Sequence, residues 1–409
     1  TATGTVANVT LNGLQYGAAS GSNDPNAIIS ALSLEVQSFP FNNLSVTGNA
    51  ITMSGNVAVN TALTINAAST SSISGVISGN GSLSKSGAGT LTLSAANTYT
   101  GLTTVSAGSL TYGINNAIST GAVTVNGSTA ILALGTYTDT VGAVTLTAGS
   151  ITGTGSSTQG ILTGTSFTLN PGSGVTVSVS ANLAGAVALT HSGAGTANLS
   201  GYNAYTGTTT LNSSGGVLAI TGSGSLSGTS AGVYSGAIVI GTGTTFKYSS
   251  DQNQTLQTGV ISGAGTLTKD TGSSSVLTLS GTNTYTGITT ISAGTISIGA
   301  DANLGTASTL VPTQLTLSGG NLRATATFSL ATNRGITLST NGGTIEVANT
   351  TTIYGGTIAG TTTFTKSGAG TFVLTGTKTD TASPTYVVIA AGTFTVRADA
   401  PNINGQTFT

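Results

Sequence analysis

The chain has 409 residues, 61 of them glycine, with 4% charged residues, a formal net charge of −1, and neither cysteine nor tryptophan. Such low charge suggests disorder or membrane burial. Disorder requires low hydrophobicity with high net charge, against a mean hydropathy of +0.30 here, and a spanning helix requires about 20 consecutive apolar residues, whereas Thr, Ser or Gly interrupts every apolar run within a few positions. The missing cysteine removes disulfides and thiol-based zinc or redox chemistry. The neutral balance disfavours nucleic acid, and the lack of aromatic girdles argues against a membrane β-barrel.

Residues 1–49 follow no repeat. The chain starts at Thr1 rather than Met, which suggests a processed, exported protein. Asp24-Pro25 resembles a helix start, and Ile28, Ile29, Leu32 and Val36 would then share one helical stripe. Leu32, Leu34 and Val36 also alternate, so a strand fits nearly as well. Ser38-Phe39-Pro40-Phe41 ends whichever element forms. The segment reads as a cap or docking element.

From residue 50 to 396 the pattern is strand, turn, strand. Apolar-Thr-apolar triplets such as 91–93, 123–125, 144–146 and 315–317 carry the period of two of strands with one buried face. Thr and Val suit strands because branching at Cβ stiffens χ1, and Gly and Asn-Gly pairs supply the corners. Four stretches repeat one phrase: 86–110 reads SGAGTLTLSAANTYTGLTTVSAGSL, and 192–218, 272–296 and 367–394 follow it. A unit of this size cannot bury its own apolar face and must stack on its neighbours. The expected fold is all-β, a right-handed parallel β-helix (β-solenoid) with roughly three strands and about 20–25 residues per coil. Residues 397–409 break the repeat with Asp399, Pro401 and Asn404-Gly405 and end as an extended tail.

The repeated phrase resembles the passenger-associated transport repeat, also called the autotransporter-associated β-strand repeat, of bacterial autotransporter passengers. The matching stretches are 87–108, 193–216, 272–294 and a degenerate 368–392. The resemblance implies a β-helix that is secreted or exposed on a bacterial cell surface.

Within the repeats, Lys85, His191, Lys269 and Lys366 hold equivalent positions before the phrase and are expected at solvated corners, which argues against a catalytic role for the lone histidine. Asn97, Asn203 and Asn283 read as turn residues bonding nearby backbone. Tyr99, Tyr205 and Tyr285 read as packed corner tyrosines with wet hydroxyls, rather than as a carbohydrate platform. The nine acids are scattered, without the carboxylate pair of a glycosidase or the oxygen cluster of a calcium site. No enzyme, metal or cofactor is therefore expected.

With only 17 charged residues to protect the ends of a solenoid, the leading expectation is an extracellular structural subunit forming a head-to-tail homopolymer. Ile28, Ile29, Leu32, Phe39, Phe41 and Phe408 are the assembly candidates. The alternative is a surface adhesin or carbohydrate-binding passenger whose partner is a polysaccharide or cell surface. An ice-binding Thr array and a polysaccharide-degrading β-helix rank below both.

Overall fold

The computed structural model describes residues 8–12, 41–212, 215–257, 259–376, 378–379 and 387–396. The chain divides into two compact units. The first is Thr1–Leu189 with Gly195–Ala197 and Gly201–Tyr205, and the second is Thr190–Ala194 and Asn198–Ser200 with Thr206–Thr409. Both are built from parallel strands stacked coil upon coil, the β-solenoid expected from the period of two.

In the first unit one coil contains three strands, Ser71–Ile73, Ile77–Ser78 and Ser82–Ser86. The strand Ser71–Ile73 pairs in parallel with Thr90–Leu93 of the next coil. Leu63 lies opposite Leu83, and Leu83 opposite Thr103, a coil of 20 residues. Alternation does the rest. In Thr90–Leu93 the leucines Leu91 and Leu93 are fully buried while the threonines face outward. Each such Leu contributes roughly 1.5–3 kcal/mol through removal from water.

The outward positions also align. Ser45, Thr64, Ser84, Thr104, Thr124, Thr145 and Thr168 stand in register on successive coils. The corners need glycine at specific places. Gly87 has φ +78°, and a Cβ there would lie 2.4 Å from the Ala67 carbonyl oxygen of the preceding coil, so no other residue fits.

The second unit repeats the scheme with longer coils, Leu267 facing Thr289 and Thr289 facing Leu315. An eight-stranded parallel sheet begins at Ala231–Tyr234 and ends at Val387–Ile389. Phe364, Phe372 and Phe394 cluster with ring centroids 5.8–6.1 Å apart, Phe372 stacked on Phe394 and Phe364 tilted against both.

No α-helix occurs among the described residues, and the one helical feature there is a 3-10 turn, Asp301–Leu304. The helix-or-strand alternative at Ile28, Ile29 and Leu32, as well as Phe39, Phe408 and the 397–409 tail, lies outside the described residues. Parallel pairing starts before residue 50: Asn8–Asn12 pairs with Phe41–Gly48, which pairs with Val57–Ala67. Phe41 thus opens a solenoid strand.

Candidate functional site

The basic repeat residues are not solvated, and this expectation is corrected. Lys85, His191, Lys269 and Lys366 are all fully buried. Their parity explains why. In Leu83-Ser84-Lys85, Leu189-Thr190-His191, Leu267-Thr268-Lys269 and Phe364-Thr365-Lys366 the basic residue shares the inward face with an apolar one two positions before it. Lys85 stacks between Ile65 and Val105.

A buried ammonium must be matched by hydrogen-bond acceptors, and here turn carbonyls supply them. Lys85 Nζ donates to the carbonyls of Ser86 at 2.9 Å, Gly87 at 2.8 Å and Ala107 at 3.0 Å. Lys366 Nζ repeats this with Ser367 at 2.6 Å, Gly368 at 2.7 Å and Ala391 at 3.0 Å. Each lysine therefore clasps its own turn to the Ala-Gly turn that closes the same repeat. Lys269 Nζ donates to the Thr271 carbonyl and lies 5.7 Å from the Tyr248 ring centre.

His191 occupies the same slot beneath the closing turn of its repeat. A Cβ at Gly216 would lie 2.8 Å from His191 Cε1, just as one at Gly294 would lie 2.8 Å from Lys269 Nζ. Burial pushes Lys85 and Lys269 down to about 8, with Asp270 and Asp251 opposing the shift at Lys269. The three carbonyls around Lys85 also oppose it, since an ammonium has three N–H groups to give and a neutral amine two.

The asparagines reach further than their own turns. Asn97 Oδ1 accepts from Ile77 N at 2.7 Å, and its Nδ2 donates to the Ala117 carbonyl at 2.6 Å, bridging three successive coils. Asn283 does the same between Ile261 N and the Asn303 carbonyl. Asn203 accepts from Leu183 N and donates to the Gly201 carbonyl.

The tyrosines Tyr99, Tyr205 and Tyr285 are packed, but the expected wet hydroxyl is a second correction, because the rings are at most 1% exposed. Tyr99 Oη lies 2.6 Å from Thr103 Oγ1, and Tyr285 Oη 2.7 Å from Thr289 Oγ1.

Two polar centres went unread in the sequence. Asp139 takes the slot held by asparagine in the Asn97 rung. Its oxygens accept from Ile118 N at 3.1 Å and Thr140 N at 2.7 Å. Burial raises it to about 6. Arg334 is 1% exposed and is held by Asp301, with Nε–Oδ1 at 2.9 Å, and by the Leu304 and Gly305 carbonyls at 2.8 Å each.

Of the remaining acids, Asp270 pairs with Lys247 and Glu346 with Arg323. No group of three or more metal-ligating side chains occurs among the described residues. These polar residues hold the coils together. In the second unit the outer surface includes a groove of about 390 Å³ lined by Ala231, Gly232, Val233, Asn253, Gln254, Thr255, Val276 and Thr278.

The clasped lysines, bridging asparagines and Tyr–Thr pairs define a repeat-built solenoid, and the comparisons with known proteins place those repeats. Residues 83–111, 189–220, 272–298 and 364–396 match the model of the Passenger-associated-transport-repeat. The chain thus carries four repeats of the autotransporter passenger kind. A curated relative, the "Adhesin BmaC autotransporter" of Brucella suis biovar 1 (strain 1330), is 38% identical over 128 residues. The match covers 30% of this chain and spans 4% of that relative's length. No solved structure matches the chain.

Proposed function

We propose that this chain is a passenger region of an autotransporter-type bacterial adhesin, displayed on the cell surface or released from it, and that it acts by binding rather than by catalysis. The observation that carries the reading is the coincidence of four passenger-associated transport repeats with local similarity to an autotransporter adhesin. The solenoid suits such a role, because its polar side chains are spent on joining coils and its outer faces carry mostly small hydroxyl residues. The test is attachment: beads coated with the purified chain should adhere to host cells or to extracellular matrix above beads coated with an unrelated β-protein. Equal adherence would sink the reading.

A second reading, head-to-tail assembly into a fibre, draws on charge. Lys85 and Asp139 are the only charged side chains among the described residues of the first unit, and both are buried. A surface without charge lacks the self-repulsion that keeps proteins apart. Electron microscopy of the purified chain decides this reading, with regular filaments supporting it and isolated particles rejecting it.

A further inference from the structure

We propose that the groove across the strands Ala231–Tyr234, Asn253–Leu256 and Val276–Leu279 is a binding site for an uncharged glycan chain; this deepens the adhesin reading and rests on it. The register builds the groove. Ala231 lies opposite Asn253 and Val233 opposite Thr255, while Thr255 lies opposite Thr278, which sets Asn253 beside Val276. Two rows of outward side chains result, Ala231–Asn253–Val276 and Val233–Thr255–Thr278. Rows two residues apart on a strand stand about 6.6–6.8 Å from each other, and the trough between them is floored by Gly232 and Gln254. Its volume of about 390 Å³ falls within the range of small-ligand sites.

The floor is fixed before any ligand arrives. Gln254 is 2% exposed. Its Oε1 accepts from Leu226 N at 2.9 Å, and its Nε2 donates to the Gly232 carbonyl at 2.9 Å. It therefore ties the segment before the first strand to the first strand itself, and a preorganised site loses less entropy on binding.

The lining selects the ligand class. None of the eight lining residues is ionisable, so a charged ligand seated here would lose water without gaining a counter-charge. What the groove presents is methyl groups from Ala231, Val233 and Val276 beside hydroxyls from Thr255 and Thr278 and the Asn253 amide. Asn253 Oδ1 accepts from Val276 N at 2.8 Å, which orients its Nδ2 donor. Val233 is 49% exposed, an apolar contact set next to hydroxyls, and a pyranose ring offers that same pairing of a C–H face with hydroxyl edges. An extended peptide would seek an open strand edge. Ala231–Tyr234 is the edge strand of its sheet, but Asn253–Leu256 and Val276–Leu279 are hydrogen-bonded on both sides, and the groove runs across all three strands rather than along that edge.

The experiment is binding of the purified chain to an array of neutral α- and β-linked oligosaccharides beside sulfated and sialylated ones, with an uncharged Ser/Thr-rich peptide included. Val233→Glu and Thr255→Lys are compared with Thr104→Lys as a control on the first unit. We expect a neutral oligosaccharide to bind, both groove variants to lose at least tenfold in affinity with unchanged circular dichroism, and Thr104→Lys to bind as the parent does. The proposal is overturned if no neutral glycan binds, if charged glycans or the peptide bind as well, or if binding survives both groove substitutions. Bead attachment separates this from the wider reading. Groove variants that still attach to cells remove the groove and leave the adhesin, whereas attachment absent from the parent chain rejects the adhesin while the array still decides the groove.

Discussion

Tyr99 Oη and Thr103 Oγ1 meet at 2.6 Å inside the apolar core of the first unit. Tyr285 and Thr289 repeat the contact at 2.7 Å in the second. This explains why the repeat spaces Tyr and Thr four residues apart around a Gly turn. Thr103 stands in a column with Leu83 and Val123, where an aliphatic residue would pack as well. The hydroxyl is there to receive the tyrosine, whose buried hydroxyl it shares with Ser119.

Breaking one member of that pair should therefore cost more than breaking both. Tyr99→Phe alone strips the buried Thr103 hydroxyl of its tyrosine partner, at about 1–3 kcal/mol, and Thr103→Val leaves the Tyr99 hydroxyl with Ser119 alone. The double variant removes both groups and should recover much of that loss. A double-mutant cycle by urea unfolding reads the coupling, and strictly additive losses would refute the pairing argument.

The lysine clasp makes a prediction with a defined sign. Lys85 sits at about 8 in the folded protein against an ordinary value of 10.5. Between those values the unfolded chain holds more protons, so stability rises with pH from about 8 upward and the contribution is lost as pH falls through 8. Above about pH 10 the tyrosines reverse the trend. Burial pushes Tyr285 up to about 12, so unfolding releases its proton and stability falls. Thermal unfolding should rise between pH 8 and 10 in the parent. Lys85→Met should reduce that slope and adding Lys269→Met should reduce it further, with Lys366, also pushed down by burial, carrying part of the remainder. Lys85→Met should also cost about 1–3 kcal/mol at neutral pH by stripping three turn carbonyls of their donor.

The fold was legible because one face of every strand is buried, which writes a period of two into the sequence. The burial of Lys85 was legible in the same way, since Leu83 and Lys85 share parity, but lysine is almost never fully buried unless paired, and no acid stood near to pair with it. Its partners are backbone carbonyls, which leave no mark in a sequence. Asn97 looked like a local turn residue because its partners, Ile77 and Ala117, lie 20 residues away on each side. Arg334 and Asp301, 33 residues apart, meet because a 3-10 turn is inserted in one coil, and no repeat spacing announces that. The groove depends on the register of three strands, which the unequal repeat spacing hides.

Asp139 should behave as a misfit asparagine. In the Asn97 rung an amide both accepts and donates, whereas a carboxylate only accepts. Burial raises Asp139 to about 6 from 3.8, so the folded protein holds the proton more tightly. Stability is therefore greatest below about pH 4 and falls as pH rises to 6. Asp139→Asn should be more stable than the parent at pH 7, on the order of 2 kcal/mol, and should lose the dependence between pH 4 and 6. A variant less stable at pH 7 would show that the carboxylate is needed there.

Arg334 and Asp301 should respond asymmetrically to substitution. Arg334 is 1% exposed and Asp301 23% by side chain, so the guanidinium depends on its partner more than the carboxylate does. Asp301 Oδ1 also accepts from Ala331 N at 3.0 Å. Asp301→Ala strands a buried cation and should cost about 3–5 kcal/mol. Arg334→Met removes that charge and leaves an acid that water can reach, so its loss should be smaller, although the Leu304 and Gly305 carbonyls lose their donor. Tyr354 Oη donates to the Arg334 carbonyl at 2.6 Å, which ties the next coil to the same point. Hydrogen exchange should therefore show both substitutions loosening Asp301–Leu304 together with Thr351–Tyr354. If Arg334→Met proves the more damaging of the two, the carbonyl contacts and not the ion pair hold this coil.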